Sequence, residues 1–206
     1  MRTKIKESIY NVVAYSGMWV LHKIFPEYFG GNPLKATDRH VEYPWALNLI
    51  HNYSREALIL DVGCAGSMFP MLIYAIGFRV WGIDVRDAHS DLFSFVKGNI
   101  CENIFDNETF DVITAISTVE HIGISEYAGD YTDFSAINEI HRILKPNGLF
   151  IMSVPFDKKY REETFHRVYD EERLKDLFKD FNSIHWDILK SPESDDYKLA
   201  LIQVIK

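Results

Sequence analysis

The chain predicts an α/β fold with a doubly wound, mostly parallel sheet, and three observations carry that reading. Short apolar runs alternate with segments of helical period along most of its length. Two of those runs stop in an acid, Asp61 and Asp84, and the first opens into the small-residue turn Gly63-Cys64-Ala65-Gly66-Ser67. The last two runs, 183–189 and 197–205, are joined by a short polar segment. A parallel crossover needs a dozen or more residues, so these two strands form a closing antiparallel hairpin.

The composition supports a full core. Of 206 residues, 47% are hydrophobic and 25% charged, the ordinary globular balance. The net charge of −8 and the lack of a dense Lys/Arg run argue against nucleic acid as a partner. Two cysteines, Cys64 and Cys101, make no disulfide framework and point to a reducing, cytoplasmic setting. No CxxC, HExxH or His-rich tract is present, and alternating Asp87, His89 and Asp91 read as a solvated face. No metal is therefore expected.

Residues 8–21 are uncharged, but a bilayer span needs about 20 apolar residues. Glu7 interrupts the basic start and no small-residue cleavage site follows, so a signal peptide does not fit. Ile5, Ile9, Val12, Ser16 and Trp19 recur at helical spacing and predict an amphipathic helix packed on its own domain. A helix lying on a membrane surface is the alternative. A turn-rich linker follows at 25–33. A second helix is expected over 37–52, with Val41, Trp45, Leu47 and Leu49 apolar and Pro44 marking a late start or a kink. Residues 1–55 are thus expected to form a helical extension covering the site, and 56–206 the core. Tyr43 and Trp45 are candidates for lining a substrate pocket.

The first strand is expected at 57–62 and feeds a helix at 68–76, with Ser67 as its cap, Pro70 in its first turn and Gly77 as its stop. The second strand spans 79–84, so Asp84 follows Asp61 by 23 residues, the spacing of a strand–helix–strand unit whose second acid can grip ribose hydroxyls. A short third strand covers 93–96 and a fourth 110–116, which runs into the polar stretch Ser117-Thr118-Val119-Glu120-His121. A helix over 131–145 carries the stripe Phe134, Ile137, Ile140 and Leu144, with Asp133 as its cap, and stops at Lys145-Pro146-Asn147-Gly148. The fifth strand is expected at 149–154, a charged loop at 157–168 and a last helix at 170–181.

These features in order resemble a class I S-adenosylmethionine-dependent methyltransferase. The matching phrases are Leu60-Asp61-Val62-Gly63-Cys64-Ala65-Gly66-Ser67, Gly82-Ile83-Asp84, Gly98-Asn99-Ile100, Phe110-Asp111-Val112-Ile113 with Glu120-His121, and Ile143-Leu144-Lys145-Pro146-Asn147-Gly148-Leu149. The resemblance covers about residues 56–206. It implies a Rossmann-like, seven-stranded sheet with a C-terminal antiparallel hairpin and helices on both faces. The family's turn is Asp-x-Gly-x-Gly-x-Gly; here Ala65 and Ser67 replace its second and third glycines, while Gly66 adds one.

Carried over by position, the resemblance implies that Asp61, Gly63, Cys64, Ala65 and Gly66 line the amino-acid end of S-adenosylmethionine. Asp84 would hold the ribose, Val85 and Ile100 the adenine faces, Asn99 its amine, and Ser117 would lie near the sulfonium. The acceptor is then a small molecule, most plausibly through an oxygen on a sugar, lipid-linked or secondary-metabolite intermediate. The phrase Ile116–Gly123 with Val154-Pro155-Phe156 resembles methyltransferases associated with glycan assembly. His121 is the candidate general base, since imidazole titrates near neutrality. Glu120, Tyr160 and His166 are candidate acceptor contacts. A dinucleotide-dependent dehydrogenase shares the strand, turn and distal acid, but its Gly-x-Gly-x-x-Gly is absent, with Ala65 and Met68 at its later positions. A non-catalytic module that keeps the cofactor fold is the competing class, motivated by the altered turn. The sequence carries no signal for oligomeric state.

Overall fold

A computed structural model describes residues 36–127 and 129–206. The expected helix at 8–21 and linker at 25–33 lie outside the described residues. The second expected helix forms as α1 (Arg39–Ile50), with Pro44 inside it at the expense of one ladder hydrogen bond. Its fully buried positions are Glu42, Ala46 and Ile50, one residue per turn; Trp45, Leu47 and Leu49 are half-buried beside them. The buried stripe therefore begins with a carboxylate, which the apolar pattern did not suggest.

The main sheet contains seven strands in the order β3-β2-β1-β4-β5-β9-β8. The strands are β1 (Leu58–Val62), β2 (Arg79–Asp84), β3 (Ser94–Lys97), β4 (Phe110–Ile116), β5 (Leu144–Phe156), β8 (Ser183–Lys190) and β9 (Lys198–Ile205). β1 to β5 run parallel, β9 lies antiparallel to β5 from Leu149↔Ile205 to Phe156↔Lys198, and β8 pairs antiparallel with β9. The expected fold class is the observed one. From β1 the chain winds outward to β2 and β3, then returns to β4 on the other side of β1. That reversal opens a crevice at the carboxyl ends of β1 and β4, the place where ligands bind in such sheets.

The period of two in the strands supplies two cores. Leu60, Val62 and Ile113 face α3 (Asp133–Ile143) and α4 (Glu171–Leu177) through Ile137, Ile140, Leu174 and Phe178. Ile59, Val80, Val112 and Ile151 pack on the opposite face with Ala46 and Ile50 of α1 and with Phe69 and Ile73 of α2 (Phe69–Ala75). Helices therefore cover both faces.

Several boundaries differ from expectation. Ser67 does not cap α2; its Oγ accepts the Phe69 N–H two residues on, and Met68 takes the cap position. Thr132, not Asp133, caps α3 in a reciprocal box with Ser135, because Asp133 is drawn inward to Arg173. α3 ends at Ile143, since Pro146 disfavours helical geometry at Lys145 and Leu144 is already extended. α4 stops at Leu177, yet Phe178 stays in the core. The segment expected as a loop at 157–168 contains the small hairpin β6 (Arg161–Glu162) and β7 (Arg167–Val168).

Candidate active site

The turn after β1 is shaped by two glycines. Gly63 has φ +79°, and a Cβ there would lie 2.4 Å from Thr118 Oγ1, so only glycine lets the β4 exit close over the turn. Gly66 has φ +80° but nothing within 4 Å of a Cβ position, which leaves the turn open on that side. Ala65 N–H donates to Asp84 Oδ2 at 2.8 Å and Arg86 N–H to Oδ1 at 2.8 Å, so Asp84 ties the turn to the end of β2. Arg86 also reaches back to the Ala65 carbonyl. Cys64 packs its sulfur under Gly82, leaving only its backbone to the turn, and burial pushes its thiol pKa up.

Asp61 is buried and accepts a 2.6 Å bond from Thr114 Oγ1. Burial raises its pKa to about 7, against the opposing effects of the Thr114 hydroxyl and the Arg39 charge. Ser117 adopts φ +44°, a conformation non-glycine residues rarely hold. Its N–H donates to the Ser153 carbonyl and lies 3.0 Å from Ser153 Oγ, and its hydroxyl donates to Glu42 Oε1 at 2.7 Å. Ser153 donates to the same Glu42 oxygen at 2.6 Å, and Arg39 Nη1 lies 2.5 Å from Glu42 Oε2. This network joins α1 to the ends of β4 and β5. Arg39, Glu42 and Ser153 were missed in the sequence; the only trace was a glutamate in phase with Ala46 and Ile50.

Val85 is 43% exposed and Ile100 buried, while Asn99 Oδ1, the atom expected to meet adenine, accepts from Cys101 N–H at 3.0 Å. Tyr43 stacks on Phe69 at 4.8 Å and places its hydroxyl 3.1 Å from Ser67 Oγ, which brings it to the turn after β1. Trp45 packs on the apolar cluster around Phe69 and Ile73.

The second half of the site follows β4. A 3-10 turn, Val119–His121, buries Glu120 at 2% exposure; burial raises its carboxyl pKa to about 8. His121 Nδ1 lies 2.6 Å from the Phe165 carbonyl. A carbonyl only accepts, so Nδ1 carries a proton, and Nε2 lies 3.7 Å from Glu120 Oε1. The His166 ring centroid is 6.3 Å from that of His121 and 5.6 Å from that of Tyr197. Among the described residues, two buried side-chain atoms lack a hydrogen-bond partner, Glu120 Oε2 and His166 Nε2. The latter sits 3.5 Å from Glu163 Oε2, outside bonding geometry. The structure thus gathers Glu120, His121 and His166, and adds Tyr197 from the hairpin. Tyr160 is engaged elsewhere, donating its hydroxyl to Glu162 and its N–H to Asp170 beside Arg173.

The residues present fit S-adenosylmethionine. Gly66 leaves room at the turn, and a carboxylate offers about four acceptor sites, so Asp84 can take ribose hydroxyls beyond its two backbone donors. Among the described residues no group of three or more His, Cys, Asp or Glu side chains is arranged to hold a metal, and no described helix is long and apolar enough to cross a membrane.

Comparison with known proteins gives the same picture. Residues 60–152, from β1 into β5, match the methyltransferase domain family. The chain is 31% identical over 160 residues to sterol 24-C-methyltransferase of Kluyveromyces lactis, covering 69% of this chain and 40% of that protein. It is 29% identical over 106 residues to the ubiquinone biosynthesis O-methyltransferase of Rickettsia akari, covering 46% and 39%. It spans about half the length of the curated relatives it matches. Among solved structures, the 1,6-didemethyltoxoflavin-N1-methyltransferase of Burkholderia thailandensis, with 1,6-didemethyltoxoflavin and S-adenosylhomocysteine bound, superposes with a TM-score of 0.65 at 18% identity, covering 97% of this chain and 89% of that one. Residues 60–152 therefore carry a methyltransferase domain, set in a fold shared with solved S-adenosylmethionine-dependent methyltransferases.

Proposed function

We propose that the protein is an S-adenosylmethionine-dependent methyltransferase acting on a small acceptor, through an oxygen of a sugar, lipid-linked or secondary-metabolite intermediate, in a cytoplasmic setting. The observation that carries this is the open Gly63–Ser67 turn held between Asp61 and Asp84 at the sheet's reversal point. The three relatives act, by their names, on carbon, oxygen and nitrogen, so support for oxygen comes from the polar exit of β4. When bound, the cofactor supplies a methyl group on a positively charged sulfur.

The chain's own residues then do three things. Asp84 and the turn fix the nucleoside end, with Val85 and Ile100 beside the adenine and Asn99 near its edge. α1, the described part of the 1–55 cover, closes over the strand ends through Glu42, Ser117 and Ser153. Glu120, His121 and His166 meet the acceptor. With Nδ1 held as a donor by Phe165, His121 Nε2 is the nitrogen placed to take the acceptor's proton, and Glu120 lies against it. Alignment in a water-poor site supplies the rest.

Calorimetry with S-adenosylhomocysteine tests the cofactor assignment; no binding at high micromolar ligand overturns it and favours a module without this activity. Asp84→Ala should weaken binding by at least about tenfold. Methyl transfer from labelled cofactor to a panel of hydroxyl, amine and phosphate-linked acceptors identifies the substrate. With it, His121→Ala should keep cofactor affinity and lose about a hundredfold or more in turnover; unchanged turnover removes His121 as base.

A further inference from the structure

We propose that Arg167 is a positioning residue for His121, a role that rests on the reading of His121 as the base. Its guanidinium holds the β6–β7 hairpin against the turn Val119–His121, and the Phe165 carbonyl at the hairpin tip then keeps the proton on His121 Nδ1. The foot of the hairpin is fixed to the end of β5, where Tyr169 N–H donates to the Pro155 carbonyl and Asp157 N–H to the Tyr169 carbonyl. The tip has less support of its own. Each strand is two residues long, and Glu163 N–H donates to the His166 carbonyl across Thr164 and Phe165. A pair that short does not hold its shape in water unaided, and Phe165 is 67% exposed. Yet this tip supplies the acceptor that faces His121 Nδ1 at 2.6 Å.

Arg167 links that tip to the turn. It is 4% exposed and sits two residues after Phe165. Its Nη1 donates to the carbonyl of Ile122, the residue after His121, at 2.6 Å, and its Nε to Glu162 Oε1 at 3.1 Å across the hairpin pair. One planar fork thus bonds both hairpin strands and the chain beside His121. The far side of that chain is closed as well. Gly123 has φ +80°, and a Cβ there would lie 2.2 Å from the Tyr131 carbonyl oxygen and 3.6 Å from Arg167 Nη2. A buried guanidinium is costly to desolvate, and an apolar group of the same volume would serve stability as well, so the bond to Ile122 is what the arginine adds. Neutral imidazole has one N–H and one accepting nitrogen, and the partner of one ring nitrogen decides which is which. Without the Phe165 carbonyl the proton is free to move to Nε2, and a nitrogen that already carries a proton takes none from an acceptor.

Ring-nitrogen NMR on the whole chain labelled with 15N-histidine reads the tautomer, with His121→Ala assigning the signal. At about pH 8.5, where an unperturbed imidazole is neutral, wild-type His121 should carry its proton on Nδ1. Arg167→Met removes the donors and keeps the stem. It should move the ratio of Nδ1–H to Nε2–H at least about fivefold toward Nε2, the worth of one net hydrogen bond. Arg167→Gln is too short to reach Ile122 but keeps a polar group at the buried position, and it serves if the Met variant does not fold. Arg167→Lys keeps the charge and the reach for one carbonyl, and should restore most of the wild-type ratio. S-adenosylhomocysteine affinity should stay within about twofold throughout. A wild-type proton on Nε2, or an unchanged ratio in a folded Met or Gln variant, overturns the proposal. So does a parallel loss of S-adenosylhomocysteine binding, which would make Arg167 a general support of the fold. With an acceptor identified, Arg167→Met should lower kcat about tenfold or more and change KM little. A moved tautomer with unchanged turnover leaves the positioning intact and overturns the reading of His121 as base.

Discussion

Replacing Glu120 by Gln tests whether the β4 exit holds a desolvated carboxyl. Glu120 is 2% exposed, its Oε2 has no hydrogen-bond partner, and burial lifts its pKa from 4.5 to about 8. The folded protein then keeps a proton on this group between those pH values while the unfolded chain releases it. Unfolding stability must fall as pH rises across that window and level off above it. At about 1.4 kcal/mol per pH unit, the whole window is worth about 5 kcal/mol, a large part of the stability of an ordinary domain. Gln keeps the shape and cannot ionise. Asp61, also raised, contributes a similar slope below about pH 7, but it does so in both proteins and cancels in the comparison. Urea denaturation at pH 5 and pH 9 should therefore show the wild type losing about 4 kcal/mol more than Glu120→Gln, which becomes the more stable protein at the alkaline end. Parallel profiles, or a variant less stable than the wild type at pH 9, refute the reasoning. Either result would mean that Glu120 is ionised and paired with His121 in the folded state.

Two further substitutions probe the scaffold. Gly63→Ala and Gly66→Ala both force a side chain into left-handed backbone, which costs about 1–2 kcal/mol. Only Gly63→Ala also meets Thr118, so urea midpoints should place it at least about 3 kcal/mol down, with Gly66→Ala down by little more than the backbone cost; equal losses refute the close approach of Thr118. Arg173→Met should cost about 3 kcal/mol, because it leaves the fully buried Asp133 without its cation and with only the Tyr169 hydroxyl and the Phe134 N–H as donors, and Asp133→Asn in that background should recover part of the loss in the same denaturation assay.

The sheet was legible because its signals are local. The second and fourth strands fall at the expected residues, and the first and third within one residue of them, each being a short apolar run closed by an acid, a glycine or a polar turn. The turn after β1 was legible for the same reason: Asp61, Gly63 and Asp84 sit in one strand–helix–strand unit. Helix ends were less so, since Thr132 and Asp133 are both good caps and only the tertiary pull of Arg173 on Asp133 decides between them. The β6–β7 hairpin has two residues per strand, too few to show a period.

The missed part of the site has a common physical character. Glu42 bonds Ser117 across 75 residues of sequence and Ser153 across 111, and no window of local pattern contains such a pair. A charged residue is also assigned by default to a solvated face, as burial without a partner is costly. Here the partners exist, but they arrive from the ends of two strands and from the first turn of α1. Asp38, Glu42, Asp61 and Glu120 are all buried, and Arg39 is the cation that acts on three of them: it is paired with Glu42 and offsets the burial of Asp61 and Glu120. A core built for stability alone would hold apolar groups at these positions. Their concentration at the carboxyl ends of β1, β4 and β5 is where the fold gives up stability, and a cationic sulfonium is the kind of ligand that such an excess of buried carboxyls favours.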